Sequence, residues 1–303
     1  MFSIVVNCYN GSKYLKDTMS SILNINYNNY EVIFFDNNST DNSVEIVKKF
    51  NSKKVKIFEN TKNISLGHAR RMAVEKTKGD YICFIDSDDI IHKDTLNNYE
   101  KLFNKLNPDI IYGGVNYIDS SGNYIGKYSP VLDYNKSLNS ILVNFDVNVS
   151  SWCLKKEVFT KFKILFDPEI YCCEEFDIMV RSSAINLKII SVDKILSSYR
   201  IHKESITANK LDVAAKERRY ILNKIRKKVS QNGIKNFEYA YYKSYYYDSL
   251  YLSKNGDFKG AKIELRKALK YSLIFKFLYF ILLISPAFWL FIHQLKGRKI
   301  LKI

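Results

Sequence analysis

The chain has 303 residues, 47% of them hydrophobic, which suits one large α/β domain plus an extension, or two domains, and argues against disorder over most of its length. Its net charge of +16 is one-sided: residues 1–202 carry 25 Lys+Arg against 24 Asp+Glu, and residues 203–303 carry 22 against 7. A basic C-terminal third points to an anionic partner, a nucleic acid or an acidic membrane surface, or else to a solvated helical surface.

In chain order, Phe2–Asn7, Glu31–Phe35, Val55–Phe58 and Tyr81–Ile85 are short apolar runs of the buried-strand type. Between them Tyr14–Leu23, Asn42–Phe50 and Leu66–Thr77 have helical spacing, and a further helix is predicted over Ile90–Phe103. This alternation predicts β-α-β units around a mostly parallel sheet, with helices on both faces. Asp109–Val115 is another strand, and Asn116–Lys127 reads as a hairpin around Ser121-Gly122-Asn123. Lys155–Phe162 and Glu174–Ile185 are predicted helices, and Ile189–Val192 a strand. Beyond residue 203 the pattern is helical over Thr207–Gln231, Tyr239–Ser253 and Phe258–Tyr271, with Asn232-Gly233 and Asn255-Gly256 as stops. The expected division is a catalytic domain over 1–205, a basic helical extension over 206–272 and an apolar, basic-flanked segment over 273–303.

Leu273–Ile292 is the most apolar stretch, with Lys276 its one charge, Pro286 inside it and Lys296, Arg298, Lys299 and Lys302 after it. Twenty such residues match a hydrocarbon layer of ~30 Å. Three readings are open: a helix lying in the membrane plane, a true span, or a buried core helix. The five cysteines (Cys8, Cys83, Cys153, Cys172 and Cys173) form no zinc-type pair, so free thiols in a reducing cytosol are expected. The first residues, Met1-Phe2-Ser3-Ile4, lack the basic region of a signal peptide. The expected location is cytoplasmic, attached peripherally or monotopically to the inner face of the cell membrane.

The chemistry concentrates where strands end. Tyr81–Ile85 runs directly into Asp86-Ser87-Asp88-Asp89. Ligand crevices of open α/β sheets lie beyond the carboxyl ends of strands. Crowded carboxylates there call for a cation, and hard oxygen donors suit Mg²⁺ or Mn²⁺. The alternative is an acidic turn that merely caps a helix. Two more polar turns belong to the same edge: Asn7-Cys8-Tyr9-Asn10-Gly11, and Asp36-Asn37-Asn38-Ser39-Thr40-Asp41. Tyr9 can stack on a base and Asp36 can accept from a base N–H, although such residues also favour turns for their own sake. Glu174-Glu175 form a carboxylate pair at a predicted helix start, suited either to proton transfer or to the helix dipole. Trp152 is a candidate wall for a sugar or a core residue.

In this order the segments resemble glycosyltransferase family 2, the inverting enzymes of GT-A fold. Tyr9-Asn10, Asp36 to Asp41, Asn63-Ile64-Ser65-Leu66-Gly67-His68-Ala69-Arg70-Arg71 and Gly79 to Asp89 match four family motifs over about ninety residues. Phe166-Asp167-Pro168-Glu169, Glu174 to Arg181 and Tyr199-Arg200-Ile201-His202 match later ones. The resemblance implies a nucleotide-diphospho-sugar transferase fold followed by C-terminal helices. It further implies a nucleotide-sugar donor, in the first instance a UDP-sugar, with Asn7, Tyr9, Asp36, Arg70, Asp86 and Ser87 on the donor side. Asp86, Asp88 and His202 would serve an Mn²⁺ or Mg²⁺ ion, and Glu175 would be the base, with Glu174 as the second candidate. The implied activity is transfer of a hexose or N-acetylhexosamine to a hydroxyl of a glycan or lipid-linked acceptor in cell-surface polysaccharide synthesis. Ser65, Arg71 and Asn7 depart from common family residues. A sugar-phosphate nucleotidyltransferase would show a Gly-rich basic loop after the first strand, which Asn7–Lys13 does not provide. A non-catalytic carbohydrate-binding relative would have no need of Asp86, Asp88 and Glu175. A nucleic-acid partner leaves the apolar helix unexplained and is not expected.

Overall fold

The computed structural model describes residues 1–203, 211–230 and 236–300. The chain divides into two compact units, Met1–Lys136 with Asp146–His202, and Ser137–Phe145 with Lys203–Ile303.

The first unit is built on one sheet. Its elements are β1 (Phe2–Cys8), α1 (Ser12–Leu23), β2 (Tyr30–Asp36), α2 (Ser43–Lys49), β3 (Val55–Glu59), α3 (Leu66–Glu75), β4 (Tyr81–Phe84), β5 (Ile90–Ile91), α4 (Thr95–Leu106), β6 (Ile110–Ile118) and β7 (Tyr124–Tyr128). After α5 (Leu138–Val143), which belongs to the other unit, come β8 (Trp152–Lys155), α6 (Glu157–Thr160), α7 (Glu174–Ala184) and β9 (Ile189–Arg200). The strand order is β3-β2-β1-β4-β8-β6-β9-β5, with β7 paired to β6.

β3, β2, β1 and β4 run parallel, and the apolar runs of β2, β1 and β4 are covered on both faces, as parallel strands require. On one face Ile4, Val6, Val32 and Phe34 pack with Leu15, Met19 and Ile22 of α1, Val44 and Val47 of α2, and Leu96, Tyr99 and Phe103 of α4. α3 lies against β1 and β2 with Ala69 and Ala73 fully buried. The second half of the sheet is mixed. β8 is antiparallel to both β4 and β6, while β6 and β9 pair in parallel.

Several boundaries differ from expectation. The helix expected from Ile90 starts at Thr95, because Ile90-Ile91 pair antiparallel with Ser197 and Ser198. Little of the helix expected over Lys155–Phe162 forms. Trp152, Cys153 and Leu154 are fully buried and complete the sheet, and only Glu157–Thr160 is helical. The strand expected over Ile189–Val192 continues to Arg200, which brings the Tyr199–His202 segment to the sheet. The hairpin forms as expected, with Gly122 at φ 87° in its turn.

The second unit contains α5, α8 (Leu211–Ser230), α9 (Phe237–Lys254), α10 (Phe258–Ala268), α11 (Leu273–Ile284) and α12 (Pro286–Ile300). Its inclusion of α5 has no counterpart in the sequence reading. The Nζ of Lys243 donates to Val143 O at 3.2 Å, and Asn236 N donates to Asn139 Oδ1 at 3.3 Å. Arg219 reaches Asp248 at 2.6 Å and lies over the Tyr245 ring, and Arg226 bonds Glu238 over the Tyr241 ring. Part of the basic charge of this region therefore joins α8 to the tyrosine-rich α9. The boundary expected at 205 and the stop at Asn232-Gly233 lie outside the described residues.

The apolar run is not one helix. It breaks at Ser285, ahead of Pro286, into α11 and α12, and no helix among the described residues is long and apolar enough to cross a membrane. It is not wholly buried either. Phe275, Leu282 and Trp289, seven residues apart, face inward with Ala261 and Leu265 of α10. Leu273, Ile274, Phe277, Phe280, Ile284, Phe288 and Phe291 are exposed.

Candidate active site

The strand order reverses beside β1, between β2 and β4, so a crevice is expected beyond the carboxyl ends of these strands. The register aligns Cys8 with Asp36 and Val5 with Phe84, so the loops after β1, β2 and β4 meet there.

The first two loops are tied to each other. The amides of Asn10, Gly11 and Ser12 donate to Ser39 Oγ, Ser43 Oγ and Asp41 Oδ2 at 2.9, 3.1 and 3.0 Å. Asn10 Oδ1 in turn accepts from Thr40 N at 2.8 Å. Most polar residues of these turns are therefore structural. Three side chains of these turns remain available to a ligand. Tyr9 is 52% exposed. Asp36 is buried; its Oδ2 accepts from Ser39 N, while Oδ1 has no hydrogen-bond partner among the described residues. Asn7 Nδ2 is likewise buried without such a partner. Ser87 is held at the start of α1: Thr18 Oγ1 donates to its carbonyl at 3.0 Å, and a Cβ on Gly11 would lie 2.9 Å from its Oγ.

The acidic turn is differentiated. Carboxylate oxygens of Asp86, Asp88 and Asp89 lie within 4.8 Å of one another. Asp89 is fully buried; its Oδ1 accepts from Arg200 N at 2.9 Å and its Oδ2 from Ser150 Oγ at 2.5 Å. Asp86 and Asp88 are partly exposed, and Asp88 Oδ2 meets His202 Nε2 at 2.8 Å. These hard oxygens with an imidazole beside them fit a divalent cation. Asp86, Asp88 and Asp89 form the cluster that could hold it, with His202 beside Asp88.

Arg70 joins this turn to the second carboxylate group. Its guanidinium, almost fully buried, reaches Asp86 Oδ1 at 2.9 Å, Glu175 Oε1 at 3.1 Å and Glu174 Oε2 at 3.8 Å. Burial alone disfavours its charge, but Glu175, Asp86 and Glu174 together push its pKa up. Glu174 and Glu175 open α7, where the helix N-terminus also favours negative charge. Glu174 is 2% exposed and Glu175 17%. The loop before α7 is docked on α3: Ser65 Oγ accepts from His68 N and donates to Pro168 O, and a Cβ on Gly67 would lie 2.3 Å from Asp167 O. Ser65 is thus both the cap of α3 and an anchor for the loop that leads into α7. Trp152 is no ligand wall: it is fully buried against Phe84 and Phe166.

Burial pushes the Asp86 carboxyl up to about 6, with Arg70 opposing and Asp88 and Glu175 adding to the rise. A proton would compete with a cation held at this residue, so Mn²⁺ affinity should fall below pH 6, by up to about tenfold per pH unit. Titration calorimetry between pH 5 and 7.5 checks this. The linked effect on the metal-free fold has the opposite direction. A raised native pKa gives a contribution present below the unfolded value of about 4 and lost as pH rises through about 6. In EDTA, the Tm of the wild type relative to Asp86→Asn should therefore decline between those values.

The fold and the paired carboxylate groups at one sheet edge define a GT-A-type nucleotide-sugar transferase architecture. The glycosyl transferase family 2 model matches residues 3–167, and the chain belongs to that family. It is 27% identical over 207 residues to the uncharacterized glycosyltransferase MJ1057 of Methanocaldococcus jannaschii, covering 66% of this chain and 71% of that one. It is 26% identical over 213 residues to the UDP-Glc:alpha-D-GlcNAc-diphosphoundecaprenol beta-1,3-glucosyltransferase WfgD of Escherichia coli, covering 69% and 81%. Among solved structures it is similar to S. aureus TarS in complex with UDP-GlcNAc, with a TM-score of 0.63, 19% identity, and coverage of 74% of this chain and 66% of that one. The mannosyltransferase PcManGT from Pyrobaculum calidifontis, in complex with GDP-Man and Mn²⁺, aligns with a TM-score of 0.58 and 14% identity over 91% and 77% of the two chains.

Proposed function

We propose that the chain is an inverting, metal-assisted transferase that moves a hexosyl or N-acetylhexosaminyl group from a nucleotide sugar, in the first instance a UDP-sugar, to a hydroxyl of a glycan or lipid-linked acceptor in cell-surface polysaccharide synthesis. The observation that carries this reading is the Arg70 bridge, which holds a metal-type carboxylate and a proton-accepting carboxylate at one crevice. Relatives support the substrate class: WfgD by its name uses UDP-Glc and a diphosphoundecaprenol-linked sugar, and TarS was solved with UDP-GlcNAc.

The unpartnered Asp36 Oδ1 accepts from the base N–H, Tyr9 stacks on the base, and Asn7 and Ser87 line the donor. Asp86 and Asp88, with His202, would hold Mn²⁺ or Mg²⁺. When bound, the metal supplies Lewis-acid stabilisation of charge on the leaving diphosphate. Glu175 takes the proton of the acceptor hydroxyl as its oxygen bonds to the anomeric carbon from the face opposite the leaving group. The bond from that carbon to the diphosphate breaks, and the nucleoside diphosphate leaves. Arg70 keeps Glu175 and the Asp86 turn in register. Glu174, packed deeper against Arg70, is the second candidate for the base. A nucleotidyltransferase reading is disfavoured by the loop after β1, whose Asn10, Gly11 and Ser12 amides are already spent on side chains of the next loop. A donor-hydrolysis screen across nucleotide sugars, with Mn²⁺ and with EDTA, tests the reading. Hydrolysis or binding of no donor ends it.

The same reading includes attachment to an anionic membrane surface through the exposed apolar stripe of α11 and α12, backed by the basic excess of residues 203–303. The full chain should co-sediment with phosphatidylglycerol-rich vesicles at low salt and less at high salt. Phe277→Asp and Phe280→Asp should each weaken this by about tenfold, since each removes an exposed aromatic from the lipid contact, with Tm unchanged. A chain that stays in the supernatant at low salt rules the attachment out.

A further inference from the structure

We propose that Ser150 is a positioning residue that sets the acidic turn in the geometry in which Asp86 and Asp88 take a divalent cation. The proposal rests on the reading of those two aspartates as metal ligands. Ser150 lies in a short 3-10 turn, Val149–Ser151, just before β8, sixty-four residues from Asp86. It is buried, and its one hydroxyl is used in both directions. Oγ–H donates to Asp89 Oδ2 at 2.5 Å, and the same oxygen accepts from the Asp86 amide at 3.2 Å. The other oxygen of Asp89 accepts from Arg200 N, and Arg200 Nε donates to Asp88 O at 2.9 Å. Ser150 and Arg200 thus grip the turn from the 3-10 turn before β8 and from the end of β9, and two residues beyond Arg200 the chain delivers His202 to Asp88.

This arrangement sets Asp89 apart from the two aspartates ahead of it. Each of its oxygens already accepts a hydrogen bond, and it is sealed from solvent. Its role is to transmit the placement of Ser150 and Arg200 to the two aspartates ahead of it. Supporting bonds of this kind are expected to affect metal affinity about 10–100-fold. The neighbouring Ser151 provides the control. It is equally buried, and its hydroxyl donates to Gly113 O at 2.8 Å and Asn148 O at 3.0 Å, with no bond to the acidic turn.

The test is Mn²⁺ binding by the full chain without any donor, read by titration calorimetry and by Mn²⁺ electron paramagnetic resonance. Ser150→Ala, and Ser150→Cys, which keeps the volume, should each bind Mn²⁺ about 10–100-fold more weakly. Ser151→Ala should stay within about twofold of wild type, a bound set by the absence of a hydrogen bond from its side chain to the turn. If Ser150 acts through Asp89, adding Ser150→Ala to Asp89→Asn should weaken binding by less than the product of the two single effects. Wild-type affinity in a folded Ser150→Ala or Ser150→Cys overturns the proposal, and so does an equal loss in Ser151→Ala. A wild-type chain that binds no Mn²⁺ overturns it together with the metal reading of the site.

Discussion

Asp88→Ala is expected to abolish metal-dependent turnover, by about 10²–10³-fold or more, while leaving the fold intact. The side chain is partly exposed and makes its one described hydrogen bond to His202. The turn itself is held by other atoms: Arg200 Nε on the Asp88 carbonyl, and Ser150 and the Arg200 amide on Asp89. Removing the carboxylate also removes a repulsion, because the charge of Asp88 is among the causes that push both Asp86 and Asp89 upward. In EDTA the variant should therefore melt no lower than wild type, yet it should lose the Mn²⁺-induced rise in Tm. Thermal melts with and without Mn²⁺ separate lost ligation from lost folding. Retained metal-dependent turnover would take Asp88 out of the metal site.

Glu175→Gln should lower kcat by about 10²–10⁴-fold with donor affinity little changed. Glutamine keeps the shape of the side chain and can still accept from Arg70 through its amide oxygen, but it cannot take the proton of an acceptor hydroxyl. Glu174→Gln is the informative comparison. Glu174 is the more deeply buried of the pair, at 3.8 Å from the guanidinium against 3.1 Å for Glu175. Weakening it perturbs a buried charge cluster, so its cost should appear first in Tm and less in kcat. Single-turnover rates with saturating donor, measured alongside melting curves, distinguish the two. A collapse of kcat in Glu174→Gln with near-normal kcat in Glu175→Gln reverses the roles.

The first half of the fold was legible because each element carries a local signal. β1, β2 and β4 are mostly apolar runs, and α1 and α3 show helical spacing, so type and order follow from burial and period alone. The second half was harder for a physical reason. β8 is four residues whose burial comes from strands far away in the chain, and β5 is two residues that pair only because β9 passes beside them. Short segments stabilised by remote partners have no period to read. The apolar run at 273–292 was visible as composition, but whether it crossed, lay flat or was buried depended on which side chains turn inward. Phe275, Leu282 and Trp289 do, and the residues between them are left exposed.

The candidate site divides in the same way. Asp36, Asp86, Asp88 and the Glu174-Glu175 pair were readable because their positions follow strand ends or a helix start, where functional polar groups belong. Ser150 carries no such mark, and the contact between Arg70 and Glu175 spans 105 residues. The sequence by itself determined the family, the parallel core and the acidic turn that follows β4, since each depends on runs and spacings within about ninety residues. Only the tertiary structure decided that Asp86 and Asp88 stay partly exposed while Asp89 does not. Asp89 is closed off by a serine of the 3-10 turn before β8 and an arginine at the end of β9, and burial of a carboxylate is tolerated there because both of its oxygens are hydrogen-bonded.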